Sequence, residues 1–445
     1  MSTTPALSPD AALETSVVRK ISRRITPFII LLYFLSFLNR VNVGFAGLTM
    51  NHDIGLTQAM FGVGAGIFFV GYIAAGMPSN LALQRVGARR WIALLMVLWG
   101  VLSACTAFVT GPSSFYTLRF LLGLAEAGFF PGIILYLSFW FPARHRAFVT
   151  AMFMTAAPLS NMIGSPISGA LMNLNGVAGL HGWQWLFLVE GAPTVLLGIV
   201  SFFFLTDKPE DARWLAPAER LWLSAEMQRE RDAKAAQSRT SVWAAVKDPR
   251  VLLLALVYAG TSTGLYAIGI WAPMIIHRFG FGYFELGLVN AIPNLFAVVT
   301  MVVWARNSDR TNERRLHVAI ACLAAGIGMV LAGHAASAVV MIVGLSIASF
   351  GINAAKPPLW SMPTQFLSGS AAAAGIALIN AMGSLIGGTI GPMVIGRLRD
   401  VSGDYSLGLY FVSATLLVSA VLSYLFGMRA RRGGVQSAGD TAVTR

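Results

Sequence analysis

Five ionisable side chains stand where the chain is otherwise apolar: Arg40, Arg119, Glu126, Glu190 and Lys356. Arg40 is flanked by ITPFIILLYFLSFL and VNVGFAGLTM, with Asn39 and Asn42 beside it. A charge at the centre of an apolar helix costs about 2.5–3.5 kcal/mol on insertion scales, so such groups face a wet cavity or one another. A guanidinium is a fork of donors that fits a carboxylate. Arg40 therefore reads as an anion-binding group or as half of a structural ion pair. Arg119 and Glu126 are seven residues apart, two turns along one helix face. A carboxyl in a poorly solvated place can carry a proton at neutral pH. That makes Glu126 the proton-site candidate, with a fixed partner for Arg119 or Arg40 as the alternative. Lys356, in NAAKPPLW, precedes two prolines expected to break its helix and free backbone groups near a cavity. It adds positive charge from the second half of the chain, unless it snorkels to the surface. Glu190, in GWQWLFLVEGAP, is expected to be structural. Tyr72 and Tyr33 are aromatics with polar tips at cavity depth.

The elements that position these groups follow from composition. Hydrophobic residues make up 56% of the chain and charged residues 11%, and the mean hydropathy is +0.68. Soluble domains carry about 25% charged residues. The apolar runs are long enough for membrane-spanning helices. Short alternating segments of the β-barrel kind are absent. Twelve spans are predicted, at about 25–48, 58–81, 91–110, 114–140, 147–173, 183–206, 251–275, 284–305, 317–334, 337–366, 370–396 and 405–428. The 45 glycines fit close helix packing in a bilayer. The polar start of the chain and the length of the first apolar run argue against a cleaved signal peptide. Cys105 and Cys322 fall in separate spans and read as packing residues.

The net charge of +13 is distributed by side, not gathered for nucleic acid. Of the 32 lysines and arginines, 26 fall in the two tails and the loops of one side, and the intervening loops 49–57, 111–113, 174–182 and 335–336 hold none. This is the positive-inside pattern, with both termini cytoplasmic. Arg397 and Arg399 depart from it mildly. The expected order is a tail at 1–24, a six-helix bundle at 25–206, a cytoplasmic linker at 207–250 with a surface helix, a second bundle at 251–428, and a tail at 429–445. The halves echo each other at an offset of 227 residues: Pro131 with Pro358, Gly164 with Gly391, Gly169 with Gly396. Repeated halves are the build of many transporters. A site with two or three cations and one mobile carboxylate suits a small organic anion. The six histidines are isolated near span ends or in loops, so neither a nucleophile and base nor a metal cluster is expected.

The stretches LNRVNVGFA, RFLLGLAEAGFFPG, FWFPARHRA, GWQWLFLVEGAP, SDRTNERRLHV and KPPLWSMPTQFLSGSAAAAGIALIN resemble the anion:cation symporters of the major facilitator superfamily, over about residues 20–428. Within that family the chain is similar to the bacterial branch of tartrate, phthalate and related organic-acid permeases. The resemblance implies proton-driven uptake of an organic anion by alternating access, in a bacterial inner membrane, by a monomer without cofactor or metal. It implies that Arg40 contacts the substrate carboxylate and that Arg119 and Glu126 serve proton coupling. Tyr72 would line the site, and Lys356 and Asn380 match a basic and a polar cavity position. Arg85, Asp309 and Arg310 would belong to the gating loops. Two departures stand out. Asn39 replaces an acid found before the first-span arginine in many members, and Gln84 replaces the acid of the loop after the second span, whose counterpart Asp309 is kept. Asn39 opens the alternative of an uncoupled uniporter or antiporter on the same fold. A transporter-like ligand sensor is a further alternative.

Overall fold

The structure is a computed structural model, and it describes residues 9–237, 247–367 and 369–440. Among these, twelve helices are long and apolar enough to cross a membrane: Leu13–Asp53, Gln58–Val86, Ala88–Phe108, Pro112–Trp140, Ala143–Met172, Gly182–Phe204, Pro249–His277, Tyr283–Thr311, Arg315–Gly333, Ala338–Gln365, Ala374–Ser402 and Ser406–Phe426. They are called spans 1–12 below. Between spans 6 and 7 lies the expected surface helix, Pro217–Gln237; residues 238–246 of the expected linker lie outside the described residues.

Span 1 corrects the expected start of the first bundle. Its helix begins at Pro9 and runs unbroken to Val41, so the described part of the 1–24 tail is helical. The cause is a buried stripe at every fourth residue: Val17, Ile21, Ile25 and Ile29 are all nearly inaccessible. Polar groups fasten the same stretch to the linker. Lys20 donates to Glu219 at 2.6 Å, and the Arg24 guanidinium lies 4.6 Å from the Phe204 ring and 5.2 Å from the Trp214 ring. At the far end, the helix of span 12 continues to Asp440.

Several spans are interrupted at mid-depth. Span 1 breaks at Asn42. Span 4 breaks after Glu126 and resumes at Phe129. Span 11 carries a π-helical segment, Ser384–Ile390. Such widened or broken turns cluster at functional positions. Span 10 differs from expectation: Pro357 and Pro358 do not break it, and its helix runs on to Ser361. The two rings remove only the donors for the carbonyls four residues back, and the surrounding spans hold the helix in place.

The two halves meet at the ends of the spans remote from the termini and the linker. There span 2 lies on span 11, span 5 on span 8, and span 1 on span 7. A Cβ added to Gly62, Gly396, Gly169, Gly287 or Gly44 would stand closer than 3 Å to backbone of the opposite half. Hydrogen bonds join the halves on this side. Asp400 of span 11 accepts from the backbone N–H groups of Gln58 at 3.1 Å and Ala59 at 2.8 Å, at the start of span 2. Asn290 of span 8 donates to Ser165 of span 5 at 2.9 Å.

Candidate functional site

Spans 1, 2, 4 and 7 bring a charged cluster together where the two halves meet at mid-depth. Arg40 sits in the last turn before the break in span 1, and Glu126 is the last residue of the first helix of span 4. The two form a buried ion pair, with Arg40 7% and Glu126 1% exposed. Both donors fall on a single carboxylate oxygen. Arg40 Nε reaches Glu126 Oε1 at 3.0 Å, Arg40 Nη2 bonds the same atom, and Ser36 Oγ donates to it at 2.8 Å. Glu126 Oε2 is buried and has no hydrogen-bond partner. The carboxylate is thus saturated on one oxygen and bare on the other.

Aromatic faces surround the guanidinium. Its carbon lies 5.1 Å from the Tyr72 ring centre, 5.5 Å from Phe68 and 5.8 Å from Phe37, which is cation–π range. From the second half, Tyr266 of span 7 interacts electrostatically with Arg40 and packs on Phe69 at 4.3 Å. Tyr258, two turns earlier on span 7, interacts with Tyr266 and stacks edge-on against Trp360 of span 10 at 4.7 Å.

Arg119 is placed differently from its spacing. It makes no ion pair with Glu126 among the described residues. Its guanidinium turns to span 2, with Nε 3.4 Å from the Gly64 carbonyl and its carbon 4.9 Å from the Phe68 ring. Arg119 Nη2 is buried without a partner. Phe68 therefore lies within cation–π range of both cations, and Arg119 acts on Glu126 only through its field.

Lys356 is half-buried and bonds the Asn353 amide oxygen at 3.1 Å. No carboxylate lies within ion-pair distance of it among the described residues. It lies on the same face of span 10 as Trp360, four residues on, which links it to Tyr258. Asn380 is partly buried on span 11, one turn before Gly383, where an added Cβ would strike the Tyr258 ring. Among the described residues its side chain makes no hydrogen bond. Tyr72, Lys356 and Asn380 thus share the Tyr258–Tyr266 side of the site without touching Arg40's carboxylate partner.

Asn39 points away from this cluster. Its amide donates to Thr194 of span 6 at 2.8 Å and to the Leu35 carbonyl at 3.0 Å, and accepts from Ser103 of span 3 at 2.8 Å. Asn42 reaches span 6 as well, donating to Glu190 at 3.0 Å. Tyr33 is enclosed by Phe129, Phe130 and Phe153 and is a packing residue here. Of the gating candidates, Arg85 and Arg310 are exposed without an ion pair among the described residues, and Asp309 pairs with Arg314 in its own loop. None of the three bridges the halves. The bridging acid is Asp400, at the opposite ends of the spans.

Sequence reasoning passed over Ser36, Tyr266 and Asn353. An isolated serine or tyrosine in an apolar run carries no signal. The 227-residue offset between the halves was available, however: it takes Glu126 to Asn353 and Asn39 to Tyr266.

Comparison with known proteins agrees with this architecture. The family model described as Major Facilitator Superfamily matches residues 29–392. A protein of Agrobacterium vitis named "Putative tartrate transporter" is 59% identical, over 93% of this chain and 92% of its own length. A "Quinolone resistance transporter" of Acinetobacter baumannii is 38% identical over 95% of this chain and 98% of its own. The crystal structure titled "D-xylose-proton symporter" superposes with a TM-score of 0.72 at 15% identity, covering 91% of this chain and 97% of that one; at that identity it speaks for the fold alone. The twelve spans, the paired six-helix halves and these matches make the protein a multi-pass membrane transporter, not an enzyme, and the chain belongs to the Major Facilitator Superfamily.

Proposed function

We propose that the protein imports a small organic anion together with protons across a bacterial inner membrane, with its termini and linker in the cytoplasm. The observation that carries this reading is the half-used carboxylate of Glu126. Protonation at the bare Oε2 leaves the bonds to Oε1 in place but removes the negative charge that holds Arg40. Arg40 then becomes available to a substrate carboxylate. Loss of the proton restores the pair and expels the anion. Proton and anion thereby favour each other's binding, as linkage requires of two ligands coupled through one group.

The rest of the site supports an anion with more than one polar group. Lys356 offers a second cation from the other half, held only by a neutral amide. Tyr72, Tyr258, Tyr266 and Asn380 offer hydroxyl and amide groups along the way. A hydroxy-dicarboxylate suits this layout, and the name of the Agrobacterium vitis relative points the same way. Contact between the halves at the ends remote from the linker corresponds to a state closed to the outside. Rocking of the halves about the central site supplies alternating access.

The amide at Asn39 is the argument for an uncoupled carrier. Its position favours coupling instead, because Asn39 is satisfied by spans 3 and 6 and takes no part in the Arg40–Glu126 pair. The test is uptake of labelled carboxylates into proteoliposomes with and without an inward proton gradient. Accumulation driven by the gradient and abolished in Arg40→Ala is the expected result. Equilibration without accumulation would leave a uniporter or antiporter, and saturable binding without uptake a sensor.

A further inference from the structure

Glu190 is a buried carboxyl for which the mechanism above has no use. It lies in span 6, 3% exposed. Its Oε2 accepts from Asn42 Nδ2 at 3.0 Å and its Oε1 accepts from Ser168 Oγ at 2.7 Å. Among the described residues no cation forms an ion pair with it. Span 3 faces its turn with Gly100 and Ala104, span 1 with Asn42 and span 5 with Ser168. Several charged groups of these spans are engaged elsewhere: Arg40 with Glu126, Asp53 with His181 and Trp183 at the far end, Arg89 with Asp207, and Arg144, His145 and Arg146 with acids on the linker side; Arg19, Arg23 and Arg90 stand near the linker-side ends of spans 1 and 3. A lone carboxylate in such a place is costly, and such groups in membrane proteins mark ion or proton pathways.

A cavity lies next to it. It has a volume of about 10 Å³, room for one water molecule. Asn42, Asn161, Ser165 and Ser168 line it from the first half, and Gly269 and Asn290 from the second. Asn42 and Asn290, facing it from opposite halves, each have a buried Oδ1 with no partner. Two bare acceptors around a water-sized space call for a donor with two protons. The second-half wall of the cavity is held against the first half by the Asn290–Ser165 hydrogen bond and by the close approaches at Gly169 and Gly287.

We propose that Glu190 is a second proton-binding site, filled through this cavity when spans 5 and 8 part and sealed when they close. The step balances as a relay. A hydronium ion entering the cavity passes a proton to Ser168 Oγ as the Ser168 hydroxyl passes its own proton to Glu190 Oε1, leaving a neutral water in the cavity and a neutral Glu190. Neutral Glu190 is then the form enclosed in the closed state. The break in span 1 at Asn42 gives the site its mobile partner. That this proton moves with the anion rests on the coupled reading above; that the carboxyl binds it does not.

The experiment is pH-difference infrared spectroscopy of the protein in liposomes, comparing wild type, Glu190→Gln, Glu190→Asp and Glu126→Gln. The expected result is a protonated-carboxyl band that titrates in wild type and in Glu126→Gln, shifts in Glu190→Asp, and is lost in Glu190→Gln. Replacing Ser168 by Ala slows its appearance after a pH jump. A spectrum in which Glu190→Gln removes no titrating band overturns the proposal; should that variant fail to fold, an unshifted band in Glu190→Asp does the same. The count of protons carried per anion is a separate readout. A wild type that accumulates nothing in a proton gradient refutes the coupled transport reading, while the infrared band still decides whether Glu190 binds a proton.

Discussion

Replacing Glu126 by Gln separates the two roles of the buried pair. The change keeps shape and hydrogen-bonding capacity but removes the charge opposite Arg40, which is only 7% exposed. Leaving one member of a buried ion pair unmatched costs about 3–5 kcal/mol. The rings of Tyr72, Phe68 and Phe37 return part of this, at about 0.5–2 kcal/mol for a cation over an aromatic face. The empty variant should therefore melt several degrees below wild type. Substrate should reverse the order. In wild type the anion has to displace Glu126 from Arg40, and in the variant it does not. A coupling of about 1–3 kcal/mol between two such ligands corresponds to about 5–150-fold in affinity. The variant should thus bind a dicarboxylate more tightly than wild type at pH 8, by a factor in that range. Falling pH should tighten wild-type binding and leave the variant unchanged. Thermal shift in detergent against dicarboxylate concentration, at pH 6 and pH 8, reads both effects. A variant that binds no tighter than wild type at pH 8, or that keeps the wild-type pH dependence, would refute the competition between Glu126 and substrate for Arg40.

Three further outcomes follow from the geometry. Gly396→Val places a side chain against the Gln58 backbone, so the contact of spans 2 and 11 cannot form; uptake should fall more than about tenfold, and a cysteine at position 290 should react faster with an impermeant thiol reagent added outside. Lys356→Met removes the second cation but keeps the stem, and a charged hydrogen bond is worth about 1.5–3 kcal/mol; KM should rise by one to two orders of magnitude for dicarboxylates and hardly at all for monocarboxylates. Glu219 joins the linker helix to span 1: burial raises its pKa, but the hydrogen bonds from Lys20, the Ala216 N–H and Ser16 outweigh burial and hold it below the usual carboxylate range. Its contribution is therefore complete above the ordinary carboxylate pKa and is lost as pH falls through the lowered value, so Trp214 fluorescence should report undocking only at pH values below the ordinary carboxylate range, and Glu219→Gln should show the loosened state at neutral pH.

How much of this was legible in the chain depends on the kind of signal. The spans were, because a bilayer demands runs of apolar residues and the described helices follow those runs closely. The backward extension of span 1 was missed because a polar prefix reads as a tail, although Val17, Ile21 and Ile25 already kept the four-residue spacing of a buried face. The charged residues were found by their cost, and Arg40 stood beside Arg119 as a possible partner of Glu126, but the choice between the two was not. Arg119 and Glu126 share a helix and a spacing, yet the guanidinium that reaches Glu126 is Arg40, from another span, since Arg119 is drawn to the Gly64 carbonyl and the Phe68 ring. Partner choice between helices is a matter of rotation and depth, which periodicity within one helix does not carry.

The repeat carries more than was first taken from it. The offset of 227 that relates the glycines also takes Glu126, which holds Arg40, to Asn353, which holds Lys356. Each half thus supplies a cation and a residue that restrains it; the restraining residues stand at matching places, whereas the cations do not, since the offset takes Arg40 to Ala267. In the first half the restraint is an acid, whose grip can be changed by a proton. In the second it is an amide, whose grip cannot. On the transport reading proposed above, such a site would hold one cation constantly ready and release the other only on protonation. Exchanging the restraints tests this division. Asn353→Asp should pair with Lys356 and weaken dicarboxylate binding at pH 8, and acidification should relieve the effect, so that the second half acquires the pH dependence of the first. Binding of Asn353→Asp that is unchanged from wild type at both pH values would show that Lys356 faces away from the anion, and would leave Arg40 to hold it alone.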